Sequence, residues 1–178
     1  MDWTSPNGRK IVLQEGDITR IAVDAMANAA NSALAGGGGV DGAIHRADGP
    51  ELAQYCRRLG GCDVGDAKTT PGFRLKAKWV IHTVGPVWDG GGYGEDELLA
   101  SCYRNAVKLA IKQDLKSIAF PAISTGVYGF PIDRAAAIAV RQVKQMVQSC
   151  PDLRVVFCCF GQDAIEAYRE ALADSEND

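Results

Sequence analysis

The chain has 178 residues, 47% hydrophobic and 23% charged, with 20 glycines, against about twelve at the average usage of ~7%. That length suits one domain, able to bury roughly 70% of the surface its unfolded chain exposes without a disulfide or metal staple, and the composition disfavours disorder, collagen and coiled coil. Nineteen basic against 22 acidic side chains give a formal net charge of −3, which disfavours general nucleic-acid binding, because a phosphate-backbone binder carries a basic stripe.

The opening decapeptide MDWTSPNGRK has no apolar core of the kind a signal peptide requires, and no run approaches the ~18 apolar residues of a membrane span, so a soluble cytoplasmic protein is expected. Strand-type apolar runs then follow at 10–14, 25–29, 78–84, 117–122 and 154–160, with a weaker one at 67–70. Most are too continuous for a sheet wetted on one face. Helix-period segments lie between them, a short one at 43–47 and clearer ones at 96–113, 133–148 and 163–173; the third of these four opens on Pro131 and Asp133 and is stopped by Cys150-Pro151. The Gly-rich stretch 89–94 reads as a strand-to-helix loop, and the tail 174–178 as polar and frayed. With no internal repeat and no linker, the chain reads as one three-layer α/β/α domain over 1–178 with a largely parallel sheet.

None of the six cysteines forms a CxxC, and Cys158 and Cys159 sit side by side in an apolar run, which predicts buried free thiols in a reducing compartment. His45 and His82 are the two histidines and show no clustered Cys/His spacing, so no zinc site is expected.

The glycines punctuate strand ends, and none is expected inside a helix. A first cluster, Ala35-Gly36-Gly37-Gly38-Gly39-Val40-Asp41-Gly42, follows the second strand and precedes the short helix. Bare backbone N–H groups there can approach an anion closely, and the helix N-terminus adds its positive dipole end. A second cluster, Ser124-Thr125-Gly126-Val127-Tyr128-Gly129-Phe130-Pro131, stands in the matching position after the strand at 117–122. Two such loops at the carboxyl ends of parallel strands line one crevice, although either alone can be a mere connector. Neither a Walker lysine nor a convincing GxGxxG is present, so phosphate would be held by backbone amides and helix ends.

Asp41 beside a phosphate site needs another partner, a sugar hydroxyl or a water, unless it only caps the helix. Asp17, in Gly16-Asp17-Ile18-Thr19, is either a turn or cap residue or an acceptor for the exocyclic amine of a base. Tyr128, between two glycines, is placed to project over a ligand, whereas Phe160 reads as core. His82 reads as a packed strand histidine; His45 is open between structure and ligand. No nucleophile motif supports a hydrolytic triad.

Taken in order, Gly16-Asp17-Ile18-Thr19, Asn28-Ala29-Ala30-Asn31-Ser32, the GGGGVDGAIHR segment from Gly36 to Arg46, His82-Thr83-Val84-Gly85-Pro86-Val87-Trp88 and the segment from Pro121 to Pro131 resemble the macrodomain family, closest to its MacroD-type branch of ADP-ribose-processing hydrolases. The resemblance runs over roughly 11–172. It implies a mixed, mostly parallel six-stranded sheet between helices, with ADP-ribose over the strand ends and neither cofactor nor metal. In that family the residue matching Asp17 accepts from the adenine amine, with Ile18 assisting. The two loops, here Gly38, Gly39, Val40 and Gly42 and then Ser124, Thr125, Gly126, Val127 and Tyr128, grip the diphosphate. Residues matching Asn31, Asp41 and Tyr128 meet the distal ribose, and the one matching Phe160 lies near the adenine.

The activity this implies is hydrolysis of ADP-ribose adducts, with O-acetyl-ADP-ribose and proteins mono-ADP-ribosylated on acidic side chains as partners and Asn31 and Asp41 as the catalytic positions. A binding module without turnover is the alternative, and macrodomains of that kind commonly lack the aspartate. A regulatory partner of RNA enzymes would need a basic surface that the sequence does not announce. The chain departs from the family pattern where Gly161 replaces a common acidic residue after Phe160, and where Phe130 replaces a common tyrosine.

Overall fold

The computed structural model describes residues 2–4, 10–150 and 152–174. Its strands are β1 (Asp2–Thr4), β2 (Lys10–Glu15), β3 (Ala25–Ala29), β4 (Ala67–Pro71), β5 (Trp79–Thr83), β6 (Ser117–Phe120) and β7 (Arg154–Cys159), and its helices α1 (Gly39–Asp48), α2 (Pro50–Arg57), α3 (Glu95–Lys112), α4 (Ile132–Val147) and α5 (Gln162–Asp174). One sheet runs β1-β2-β7-β6-β3-β5-β4. Its five central strands are parallel, and β1 and β4 close the two edges antiparallel. All six expected strands form. The seventh, β1, is three residues long, too short to carry an alternation in the sequence.

The continuous apolar runs have a simple cause. Along β2, Ile11 and Leu13 enter one core with Tyr103, Val140 and Tyr168 of α3, α4 and α5, while Val12 faces the opposite core with Ile44, Leu52 and Cys56 of α1 and α2. Met26 and Val156 repeat this between their neighbours on β3 and β7. Period-two side chains buried on both faces leave no polar alternate. Five cysteines are buried and Cys150 is half-buried, all six as free thiols.

Register along the sheet is uneven. β3 pairs with β5 over five residues, Ala25↔Trp79 to Ala29↔Thr83, yet with β6 over only two, Ala25↔Ile118 and Met26↔Ala119. Beyond those pairs the two strands part.

Beyond shifts of one or two residues at other ends, the helices α1 and α2 and the end of β7 differ from the sequence reading. α1 begins at Gly39, not at residue 43, so Gly42 stands inside a helix; a Cβ there would lie 2.4 Å from the Gly37 carbonyl oxygen, which leaves room for nothing larger than glycine. α2 was not foreseen, although Gly49-Pro50 with Pro at the first helical position is a helix-start signal. The strand at 154–160 stops at Cys159. Of the tail expected to fray, Asp174 ends α5 and 175–178 lie outside the described residues. Among the described residues no helix is long and apolar enough to cross a membrane, and no cluster of side chains suits a metal ion.

Candidate active site

The loops leaving the carboxyl ends of β2, β3, β6 and β7 meet in a trough formed by two joined hollows. One, of about 340 Å³, opens where β3 and β6 part and is lined by Asn31, Gly38, Asp41, Ser124, Val127 and Tyr128. The other, of about 760 Å³, is lined by Asp17, Ile18, Arg46, Thr125, Cys158 and Phe160. Gly39, Val40, Pro121, Ala122 and Gly126 line both, so the trough passes directly over the N-terminus of α1.

That terminus supplies the anion-binding element. The first amides of an α-helix have no intrahelical acceptor, so those of Gly39, Val40 and Asp41 are available to a phosphate. Gly42 is a correction to the expected site: its N–H donates within the helix to the Gly38 carbonyl at 3.1 Å, and it does not line the trough. Across the trough, Ser124 adopts a left-handed backbone with φ of 67°, and its carbonyl accepts from Phe130 N–H at 3.0 Å. Its hydroxyl is buried on the side of Gly85 with no partner among the described residues, while the residue itself lines the smaller hollow. A non-glycine residue held in a left-handed conformation is the kind of arrangement that clusters at binding sites. Thr125 turns both its hydroxyl, at 2.8 Å, and its N–H, at 3.4 Å, back onto the Ala122 carbonyl.

Asp41 is the third residue of α1 and not its N-cap, which is Gly38. The residue is buried, its side chain 8% exposed. Asp41 Oδ1 accepts from Asn28 Nδ2 at 2.8 Å and lies 3.3 Å from His45 Nε2, one helical turn on. His45, whose role the sequence left open, is thereby drawn into the site, its ring lying against Gly36. Asn31 holds the first loop from both ends of its amide: Nδ2 donates to the Gly36 carbonyl at 2.9 Å and Oδ1 accepts from Ala35 N–H at 3.2 Å.

At the other end of the trough, Asp17 both caps a turn and faces the cleft. It accepts from the Thr19 hydroxyl at 2.7 Å and the Thr19 N–H at 2.9 Å, and these bonds, with Arg20 nearby, hold its carboxyl below the usual range. It is therefore an ionised acceptor. Phe160 is not core: it is 88% exposed, because the strand ends one residue earlier, and its ring stands free at the cleft wall. Arg20, Arg46, Arg74 and Lys76 line a shallow hollow that shares Asp17 and Arg46 with the trough. A net-acidic protein thus gathers four cationic side chains beside this opening, Arg20 paired with Asp17 and Arg74 with Glu51.

The second loop is braced from outside. Trp88 N–H donates to the Tyr128 carbonyl at 2.8 Å, and its ring packs on Phe130 at 4.7 Å with Arg134 5.1 Å from its centroid. Phe130 is 2% exposed, so a hydroxyl at that position would point into this packing and not into the cleft. The stretch after Trp88 is tied down by Glu95, whose carboxylate accepts from the N–H groups of Asp89, Gly91 and Tyr93.

The family model described as Macro domain matches residues 27–139. A macro domain-containing protein of Chlorobaculum tepidum is 58% identical over 160 residues, 89% of this chain and 93% of that one. The ADP-ribose glycohydrolase MACROD2 of Xenopus laevis is 49% identical over 168 residues, 92% of this chain and 40% of that protein. The Oceanobacillus iheyensis macrodomain solved with ADP superposes at a TM-score of 0.95 with 40% identity, covering 99% of this chain and 96% of that one.

Proposed function

Because the chain belongs to the macro domain family, we propose that it is a MacroD-type hydrolase that deacetylates O-acetyl-ADP-ribose and releases mono-ADP-ribose from acidic side chains of proteins. The observation that carries this reading is Asp41, a buried acidic residue lining the trough on the same helical turn whose amides suit a phosphate.

The trough accommodates the ligand in one direction. Asp17 and Phe160 at one end suit an adenine, an acceptor for its amine and an aromatic face for its ring. The α1 amides and the Ser124 loop suit the diphosphate. Asn31, Asp41 and Tyr128, in the smaller hollow, then meet the distal ribose. The ADP-bound relative and the glycohydrolase relative support the same ligand class. Asp163, which lines the adenine end, stands near the position where Gly161 lacks an acidic side chain.

In the reaction, Asp41 orients a water and takes its proton as the oxygen adds to the acyl carbon. The ester C–O bond breaks, the ribose oxygen leaves and is protonated, and acetate departs. For a glutamyl or aspartyl adduct the same water adds at the anomeric carbon and the side-chain carboxylate leaves.

The test is release of acetate from O-acetyl-ADP-ribose, followed by proton NMR; no turnover on any ester-linked substrate overturns the hydrolase. Calorimetry checks the direction of the ligand. Losing a hydrogen bond to a charged group costs about 1.5–3 kcal/mol, so Asp17→Ala is expected to weaken ADP-ribose roughly 10- to 150-fold while leaving ribose 5-phosphate within about twofold. Equal losses for both contradict the adenine assignment.

A further inference from the structure

Behind Asp41, on the side away from the trough, lies a polar chain that neither the fold nor the ligand accounts for. Asn28 and His82 are register partners on β3 and β5, and with Thr70 of β4 they are 0%, 1% and 0% exposed. Asn28 Nδ2 lies 2.8 Å from Asp41 Oδ1 and 3.1 Å from His82 Nδ1. His82 Nε2 lies 2.9 Å from Thr70 Oγ1, and that hydroxyl lies 3.2 Å from the Pro71 carbonyl.

The donors in this chain assign themselves. Asn28 Nδ2 has two hydrogens and two neighbours, and the Asp41 carboxylate only accepts. His82 Nδ1 must then accept as well, so the proton sits on Nε2 and is donated to Thr70, which donates to Pro71. A protonated His82 would set an N–H against the Asn28 N–H, and burial, together with His45, pushes its pKa down to about 3. Cys56 Sγ, 3.8 Å from His82 Nε2, is held as a thiol by burial, its pKa pushed up to about 11. Turning the Asn28 amide over would face its oxygen to the carboxylate, two acceptors in contact. His82 accepts the second hydrogen and so locks the orientation that Asp41 requires.

A second observation shows that this amide is kept for its nitrogen. Asn28 Oδ1 is buried and has no partner among the described residues, a penalty that an apolar residue on β3 would avoid. The gain is directional. With Oδ1 of Asp41 occupied by Asn28, Oδ2 is the oxygen on the side of Gly37 and Asn31, both of which line the smaller hollow.

We propose that His82 is a positioning residue for the reaction: through Asn28 it fixes the Asp41 carboxylate so that Oδ2 meets the water. This rests on the hydrolase reading given above. His82→Leu keeps apolar volume and removes the acceptor. Misplacement of a reacting group by about 1 Å costs on the order of 10²-fold, so kcat on O-acetyl-ADP-ribose is expected to fall by about that factor, with KM and the Kd for ADP-ribose within about twofold. His82→Gln, whose amide oxygen can accept from Asn28 while its nitrogen donates to Thr70, is expected to recover most of the lost turnover. Unchanged kcat in His82→Leu overturns the proposal, as does failure of His82→Gln to recover any turnover while remaining folded.

A long-range nitrogen–proton NMR spectrum of the wild type is independent of activity: Nε2–H with a bare Nδ1 is expected, and a proton on Nδ1 overturns the proposal. That spectrum decides the matter if His82→Leu does not fold. It also separates the two ideas if the wild type shows no turnover, since the hydrolase reading then fails while the tautomer still reports on the chain behind Asp41.

Discussion

Asp41→Ala is expected to lower turnover of O-acetyl-ADP-ribose by about 10²–10⁴-fold, the range over which a positioned general base acts, while ADP-ribose still binds. The two effects separate because different atoms of α1 carry them. The amides of Gly39, Val40 and the residue at 41 survive truncation of the side chain, and removing a negative charge from the first turn strengthens the positive end of the helix toward a diphosphate. Affinity is therefore expected to hold or to tighten slightly. Truncation also strips the acceptor from the buried Asn28 amide, at a cost of about 1–3 kcal/mol in stability. Asp41→Asn keeps an acceptor there and is expected to be more stable than the alanine variant and nearly as inactive. Rate measurements under saturating substrate, with calorimetry on ADP-ribose, distinguish the outcomes; loss of binding in step with loss of rate contradicts the assignment.

Gly42→Ala is expected to disable the site by a different route. The added methyl would lie 2.4 Å from the Gly37 carbonyl oxygen and 3.0 Å from Arg46 Nη1. The guanidinium is the far end of a flexible chain and can move; the carbonyl belongs to the loop itself. Overpacking of this kind costs about 1–3 kcal/mol, and relief requires Gly37 and Gly38 to shift, both of which line the cleft. Binding of ADP-ribose is expected to weaken at least tenfold, by analogy with the ~1.4 kcal/mol that such a factor represents. Gly92→Ala is the control, since nothing lies within 4 Å of its added methyl. Thermal unfolding and calorimetry on the two variants test the argument, and like behaviour of both refutes it.

Much of the fold was legible because burial on both faces of a parallel sheet writes itself as uninterrupted apolar runs, as at Ile11–Leu13 and in Val155, Val156 and Phe157. The two glycine loops were legible for a related reason: glycine clusters with no lysine announce binding by backbone. What the sequence concealed depends on contacts distant in the chain. The residues of the glycine run are poor helix formers, so nothing local shows that α1 begins at Gly39; the tertiary fold places the Gly37 carbonyl over Gly42. Phe160 reads as the end of an apolar strand, and only the three-dimensional end of β7 turns its ring outward. His45 stays open between structure and ligand, and Asn28 has no role of its own, until Asp41 is seen between them. An Asn on an apolar strand, opening the segment Asn28-Ala29-Ala30-Asn31, was the available signal for the first, and the spacing of four residues on one helix face for the second.

The short ladder between β3 and β6 gives the cleft a meaning beyond shape. Only Ala25↔Ile118 and Met26↔Ala119 join these neighbours, and the smaller hollow occupies the gap where further rungs would continue. The sheet is in effect an incompletely zipped seam, and a nucleotide seated there bridges Asn31 on one side to Ser124 on the other. Occupancy then closes a gap in the middle of the domain and not at its rim. By linkage, a ligand at one hundred times its Kd adds about 2.7 kcal/mol to folding, and here its contacts would span the two central strands that the ladder joins least.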